Sequence, residues 1–311
     1  MKALIVCSYR NYAKNGIAPF IKEQVDDINK SNIDVDYFII KHKGIIGYLK
    51  SYFLLINKIK QYKPDIIHAH FGLSGLLANL QRNIPVVTTY HGSDININKV
   101  FFLSKIAIFL SKKNIFVSQK LYNKVKRQHK NVILPCGVNT DLFIPLDKNE
   151  CRKKMKLDND KKYVLFSKMF TDPIKNYQLA KESIEKYKDI YSDKIELLEF
   201  IGYSREEVVL LMNAVDCVIM TSHYEGSPQF IKEAMACGCP IVSVDVGDVP
   251  YIIGDTNGCY IVDRDSDKLC DSLKSAIEYG RTNGRDRVIN LFDSKKITSE
   301  ICRLYKNIIN Q

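Results

Sequence analysis

Apolar residues along this chain fall into two alternating patterns. Short unbroken runs such as Ala3–Cys7 read as buried strands, and stretches with apolar residues every three or four positions read as helices with one covered face. Lys2–Cys7 is predicted to be the first strand. Ile17–Asn29 follows as a helix, with Ile17, Phe20, Ile21, Val25 and Ile28 on one side. The pattern continues with strand Ile33–Ile40, helix Ile45–Tyr62, strand Ile66–His70, helix Leu73–Gln81 and strands Pro85–Tyr90, Asn114–Ser118 and Asn131–Leu134. After a polar stretch, Asp147–Lys162, it restarts with strand Tyr163–Ser167, helix Asn176–Asp189, strand Ile195–Ile201, helix Arg205–Ala214, strand Asp216–Thr221, helix Pro228–Ala236 and strands Pro240–Val244 and Cys259–Val262. From Asp267 on, the chain reads as helical. Strands alternating with helices predict parallel sheets built from right-handed βαβ units. The restart puts a domain boundary near residue 150, giving domains over 1–150 and 151–311, with the terminal helix free to pack back on the first.

Charge changes this picture more than composition does. The chain has 311 residues and a net charge of +11. Residues 1–150 carry 22 Lys+Arg against 10 Asp+Glu, whereas residues 151–311 carry 24 against 25. A basic first half fits an anionic membrane surface, acidic ligands, or a plain solvated lysine coat. No aromatic–basic module or helix-turn-helix pattern supports nucleic acid as a partner. The nine cysteines are scattered without a C-x-x-C pair, as expected of reduced, mostly buried thiols in a cytoplasmic protein. No leader segment is expected, because the chain opens directly on a strand. The most apolar helix-like stretch, Val100–Leu110, contains Lys105 and is too short to span a bilayer. A place in a core and a place on a membrane face both suit it.

In open α/β sheets ligands gather beyond the carboxyl ends of the strands, so the loops there are the ones to read. The loop after strand Asp216–Thr221 runs through Glu225, Gly226, Ser227 and Pro228 into a helix that begins with Gln229 and Phe230. Ser227 is the expected N-cap and Pro228 the expected first helical residue. Free amides at a helix start hold phosphate, and Glu225 and Glu233 are carboxylates suited to sugar hydroxyls. Taken alone, an ordinary capped helix with surface glutamates accounts for the pair equally well. Lys168 and Lys175 follow strand Tyr163–Ser167 and could neutralise a diphosphate. His91, in Thr89–Asp94, ends another strand; Gly16, in Lys14–Phe20, stands at the mouth of the first helix. His68 and His70 alternate along a strand, but no carboxylate or thiol accompanies them, so no metal site is expected.

These segments together resemble the retaining glycosyltransferases of family 4, the group 1 transferases with the GT-B fold. The resemblance is carried by Glu225–Pro240, an E-x7-E pattern followed by Glu-Ala-Met-Ala-Cys-Gly-Cys-Pro, by Asp245–Pro250, which is similar to members that build bacterial surface polysaccharides, and by Pro135–Pro145. It implies an α/β GT-B architecture, two Rossmann-like domains whose parallel sheets face a central cleft. It implies a hexose-type sugar moved from a UDP- or GDP-sugar; the basic first half suggests a lipid-linked saccharide or glycan acceptor at the inner face of the cell membrane, and with no Asp-x-Asp pattern at a suitable strand end the transfer is expected to need no cofactor or metal. Glu225 and His91 would contact the transferred sugar. Gly226, Ser227, Pro228, Gln229 and Phe230 would line the sugar and phosphates, and Glu233 would hold the ribose. Lys168 and Lys175 would neutralise the diphosphate, with Gly16 near the phosphates or the acceptor. A nucleotide-sugar epimerase and a non-catalytic nucleotide-sugar binder are the rival readings. Tyr251 stands where the family usually has Glu, and the first loop lacks the usual paired glycines.

Overall fold

Eleven strands, all parallel, form two sheets in a computed structural model that describes residues 1–9, 16–42, 44–125 and 130–310. The described chain divides into two units, Met1–Gly137 with Ser294–Gln311, and Val138–Asp293. The boundary expected near residue 150 thus lies at Gly137/Val138, and the chain returns to the first unit at Ser294.

In unit 1 the elements run β1 (Lys2–Ser8), α1 (Pro19–Lys30), β2 (Asp34–Ile40), α2 (Gly44–Tyr62), β3 (Ile66–His70), α3 (Gly72–Asn79), β4 (Val86–Tyr90), α4 (Ser93–Asn96), α5 (Asn98–Leu110), β5 (Lys113–Phe116), α6 (Gln119–Asn123) and β6 (Asn131–Ile133). The sheet order is β2-β1-β3-β4-β5-β6. Successive side chains of β1 and β3 serve opposite faces. Leu4, Val6, Ile67 and Ala69 pack with Leu55, Leu77 and Ala78 of α2 and α3. Ile5 and Cys7 pack with Ile21 and Val25 of α1, and Ala3 and Ile66 with Ile297, Ile301 and Tyr305 of the last helix. Helices on both faces explain why these strands read as continuous apolar runs rather than alternating ones.

Unit 2 runs α7 (Lys148–Met155), β7 (Lys162–Phe166), α8 (Tyr177–Tyr191), β8 (Ile195–Leu198), α9 (Arg205–Ala214), β9 (Cys217–Met220), α10 (Gln229–Ala236), β10 (Ile241–Val244), α11 (Val249–Ile253), β11 (Cys259–Val262), α12 (Ser266–Tyr279) and α13 (Gly284–Leu291), in sheet order β11-β10-β9-β7-β8. Helix α14 (Ser294–Ile309) then packs on α1 in unit 1. Local signals set several helix starts. Ser204 and Glu207 close a reciprocal capping box on α9, and Asp265 accepts the amides of Asp267 and Lys268 at α12.

The stretch Asp147–Lys162, read from sequence only as a polar divide, contains α7, capped by Asp147. Among the six charged or polar side chains of α7 is one structural anchor. Buried Arg152 donates through Nη2 to Asp216 at 2.7 Å, and Lys148 pairs with the same carboxylate. All nine cysteines are free thiols. No helix among the described residues is long and apolar enough to cross a membrane.

Candidate functional site

In unit 2 three strand ends converge through hydrogen bonds to backbone carbonyls. The Thr221 hydroxyl lies 2.9 Å from the carbonyl oxygens of Lys175 and Asn176, and the His223 amide donates to the Ile174 carbonyl at 2.8 Å. This fixes the 3-10 turn Pro173–Lys175 beside the end of β9. Lys175 is thereby aimed at Glu225, and its Nζ donates to Glu225 Oε1 with both side chains largely enclosed. Arg264, just past β11, closes the third side: its guanidinium donates to the carbonyls of Thr221 at 2.9 Å and His223 at 3.3 Å.

The turn leading into α10 is shaped from outside as well. Gly247, in the loop after β10, has φ +56°, and a Cβ there would lie 2.9 Å from Glu225 Cβ and 3.0 Å from the Gly226 carbonyl. Only glycine combines that backbone angle with that closeness. Gly226 is buried under this loop. The N-cap position belongs to Pro228 rather than to Ser227, and no side chain caps the helix. The expected cap is therefore corrected: the Ser227 hydroxyl is shut off from solvent and has no hydrogen-bond partner, and the same holds for Ser222. Proline fits here because an N-cap needs extended backbone, which its ring already favours. The first turn of α10 starts at Gln229 and Phe230, where the positive end of the helix dipole lies.

The other predicted residues are placed differently. Lys168 is half exposed and pairs with Asp172 at 2.8 Å. Burial would raise the Asp172 carboxyl, but the Lys168 hydrogen bond and the Ile174 amide outweigh it and hold it below its ordinary value. Glu233 is only 4% exposed, and its Oε1 accepts from Arg205 Nη2 at 2.8 Å. Arg205 is delivered by the capping box of α9 and lies 4.6 Å from the Phe143 ring centroid. Glu233 therefore faces inward toward a cation, away from solvent. Tyr251 is exposed and sits under the Arg287 guanidinium.

Unit 1 holds its own cluster at the ends of β3 and β4. His68 Nδ1 meets the Tyr305 hydroxyl at 2.5 Å and its Nε2 meets the Thr89 hydroxyl at 2.7 Å. His68 stacks on His70 with centroids 4.5 Å apart, and His70 stacks on His91 at 5.3 Å. His70 Nδ1 lies 3.1 Å from His91 Nε2, and His91 Nδ1 lies 3.6 Å from Cys136 Sγ. Burial pushes His68 down to about 3 and His70 well below the usual imidazole range, so both are neutral at pH 7. His70 Nε2 is buried without a partner. An unpaired acceptor costs less than an unpaired donor, so the His70 proton belongs on Nδ1, donated to His91 Nε2. His91 then carries its own proton on Nδ1, facing the Cys136 sulfur, a weak acceptor.

The backbone of this loop hangs on one carboxylate. Buried Asp94 accepts the amides of Gly92 at 2.9 Å, His91 at 3.1 Å and Gly72 at 3.3 Å. Burial raises it to about 6 even against those hydrogen bonds. Gly16 is buried directly ahead of α1; Lys14 and Asn15 lie outside the described residues. His68 and His70, considered as metal ligands from their spacing, are committed to Tyr305, Thr89 and His91. Among the described residues no group of three or more His, Cys, Asp or Glu side chains is arranged to hold a metal.

Arg264 and Arg205 were not singled out from sequence, and Asp94, Gly247 and His70 were noted there without the contacts they make. Arg264 follows a strand, and the strand-end rule applied evenly to every loop would have selected it. Arg205 and His70 carry no such signal, because their importance is a contact with a residue distant in sequence.

Two Rossmann-like parallel-sheet units give the chain the GT-B fold. Sucrose-phosphate synthase from Thermosynechococcus elongatus superposes with a TM-score of 0.82 at 19% identity, covering 99% of each chain. Residues 17–142 match the model of Glycosyltransferase Family 4 and residues 172–279 that of Glycosyl transferases group 1. Among curated relatives, TuaC of Bacillus subtilis, a glycosyltransferase named for teichuronic acid biosynthesis, is 25% identical over 70% of this chain and 62% of its own length. The chain thus spans less than two thirds of that relative. A UDP-Gal:alpha-D-GlcNAc-diphosphoundecaprenol alpha-1,3-galactosyltransferase of Escherichia coli is 22% identical over 87% of this chain and 82% of the relative.

Proposed function

We propose that the chain moves a hexose-type sugar from a UDP- or GDP-sugar to a lipid-linked saccharide or glycan acceptor in cell-surface polysaccharide synthesis, with retention of configuration and without a metal. The observation that carries this reading is the Lys175–Glu225 pair beside the start of α10, with the Ser227 hydroxyl enclosed and unpartnered next to it. A diphosphate would draw Lys175 from Glu225, take the amides of α10 and give Ser227 its missing partner. Glu225, released, would accept hydrogen bonds from sugar hydroxyls.

As the C1–O bond breaks, its electron pair goes to the diphosphate, whose new charge Lys175, Lys168 and the helix start stabilise. The acceptor oxygen attacks C1 and loses its proton to a phosphate oxygen. The α linkage and the diphosphoundecaprenol acceptor in the name of the Escherichia coli relative support retention and a lipid carrier. His91 is proposed to contact the sugar through Nδ1–H. Glu233, the expected ribose contact, would act with Arg205 beside it.

The test screens UDP- and GDP-sugars for thermal stabilisation of the full chain, then incubates the best donor with a polyprenyl-diphosphate-linked saccharide. A new α-linked product sustains the proposal. Isomerised donor without acceptor points to an epimerase, and stabilisation with no turnover to a binder; either result overturns it.

A further inference from the structure

Helix α5 is inverted for a helix that meets water. The side packed on α3 carries small residues, Ser104 and Ala107, beside Ile108. The approach is so close that a Cβ on Gly72 would sit 2.0 Å from Ser104 Oγ. Its bulky side chains point outward: Phe102 is 68% exposed, and Leu103, Ile106 and Phe109 are exposed too. Helix α2, which also packs on α3 over the same sheet face, repeats the arrangement with Ile46 72% and Phe53 67% exposed beside Leu49 and Leu54. Folding leaves these side chains in water, an apolar display unusual for a protein surface.

The charges interleaved with them have one sign. Lys50, Lys60, Lys99, Lys105 and Lys112 are exposed on or beside the two helices. The sequence contains no Asp or Glu between Asp36 and Asp65, nor between Asp94 and Asp141. We infer that the α2–α5 face of unit 1 docks on an anionic phospholipid bilayer, with Phe102, Ile106 and Phe53 in the acyl boundary and the lysines at the headgroups. A second copy of the chain is the poorer occupant. In a twofold dimer this face would meet itself, setting lysine against lysine with no carboxylate from either segment.

The inference rests on the lipid-linked acceptor of the proposed function for its purpose, but the face is tested without acceptor. The full chain is sedimented with phosphatidylcholine vesicles and with vesicles containing phosphatidylglycerol, at low and high salt. Binding should be about tenfold or more tighter to the anionic vesicles and weakened by salt. Phe102→Ser with Ile106→Ser should cut it at least about tenfold, and Lys105→Glu with Lys112→Glu likewise, with far-UV circular dichroism and thermal midpoint unchanged. Equal binding to both vesicle types, binding untouched by folded variants, or a dimer that Phe102→Ser dissolves would each overturn the inference. Transfer to a lipid-linked acceptor without vesicle binding sinks the face alone. Vesicle binding without any transfer sinks the proposed reaction and leaves the face standing.

Discussion

The strand ends of the two units are organised by opposite electrostatics. In unit 1, His68 and His70 are neutral and buried, and Asp94 is held by backbone amides without any cation. In unit 2 the corresponding region is a set of ion pairs: Lys175 with Glu225, Lys168 with Asp172, Arg205 with Glu233. A neutral cluster of stacked rings fixes geometry and responds little to an arriving anion. Paired charges store cations that an anionic ligand can take over, because a diphosphate offers Lys175 more charge than one carboxylate does. Shape is built into the first region and exchangeable charge into the second.

The largest expected effect breaks the charge-held frame of unit 2 itself. Asp216 receives Arg152, Lys148 and the Tyr163 amide in the interior. Asp216→Ala leaves Arg152 buried and unpaired, so unfolding in urea should show a loss of about 3–5 kcal/mol. Next comes the exchangeable charge. Lys175→Ala should lower kcat about 10²- to 10³-fold, the usual cost of removing one group that stabilises developing charge. Steady-state transfer assays check this, and an unchanged kcat would end the proposed role.

On the neutral side the effect depends on pH. Asp94 titrates near about 6 in the fold against 3.8 when unfolded, so the folded state binds its proton more tightly. Its contribution is fully present below pH 3.8 and is lost as pH rises through about 6. Asp94→Asn removes the titration. The advantage of the unaltered protein over this variant should therefore shrink by on the order of 3 kcal/mol between pH 4 and pH 8. Urea unfolding of both at each pH measures it; a constant difference contradicts the burial argument. The smallest effect sharpens the contrast. Ser227→Ala removes an enclosed, unpartnered hydroxyl. It should leave the ligand-free protein as stable or about 1 kcal/mol more so, while weakening donor binding by roughly tenfold, since the hydroxyl has work only when a ligand is present.

Much of the fold was legible in the chain because parallel strands covered on both faces need unbroken apolar runs, and helices between them need a three-to-four-residue period. The glutamate, glycine and proline string from Glu225 to Pro240 was legible for a similar reason: a helix start that meets phosphate needs particular residues close together in sequence. Helix α7 was not, since its single buried anchor, Arg152, looks like any surface arginine until Asp216 is placed beside it. The exposed side of α5 was not either; periodicity leaves the core and membrane readings of Val100–Leu110 equally open.

Sequence by itself determined the two parallel sheets and the helix intervals, because each depends on residues within a few turns of one another. Only the tertiary structure decided that Ser227 lies outside the cap, that Glu233 faces Arg205, that Gly247 presses on Glu225, and that α5 turns Phe102 and Phe109 outward. Each of those facts depends on which distant segment arrives at a given point. Local pattern records how a segment prefers to fold, whereas the partner it meets is chosen by the packing of the whole chain.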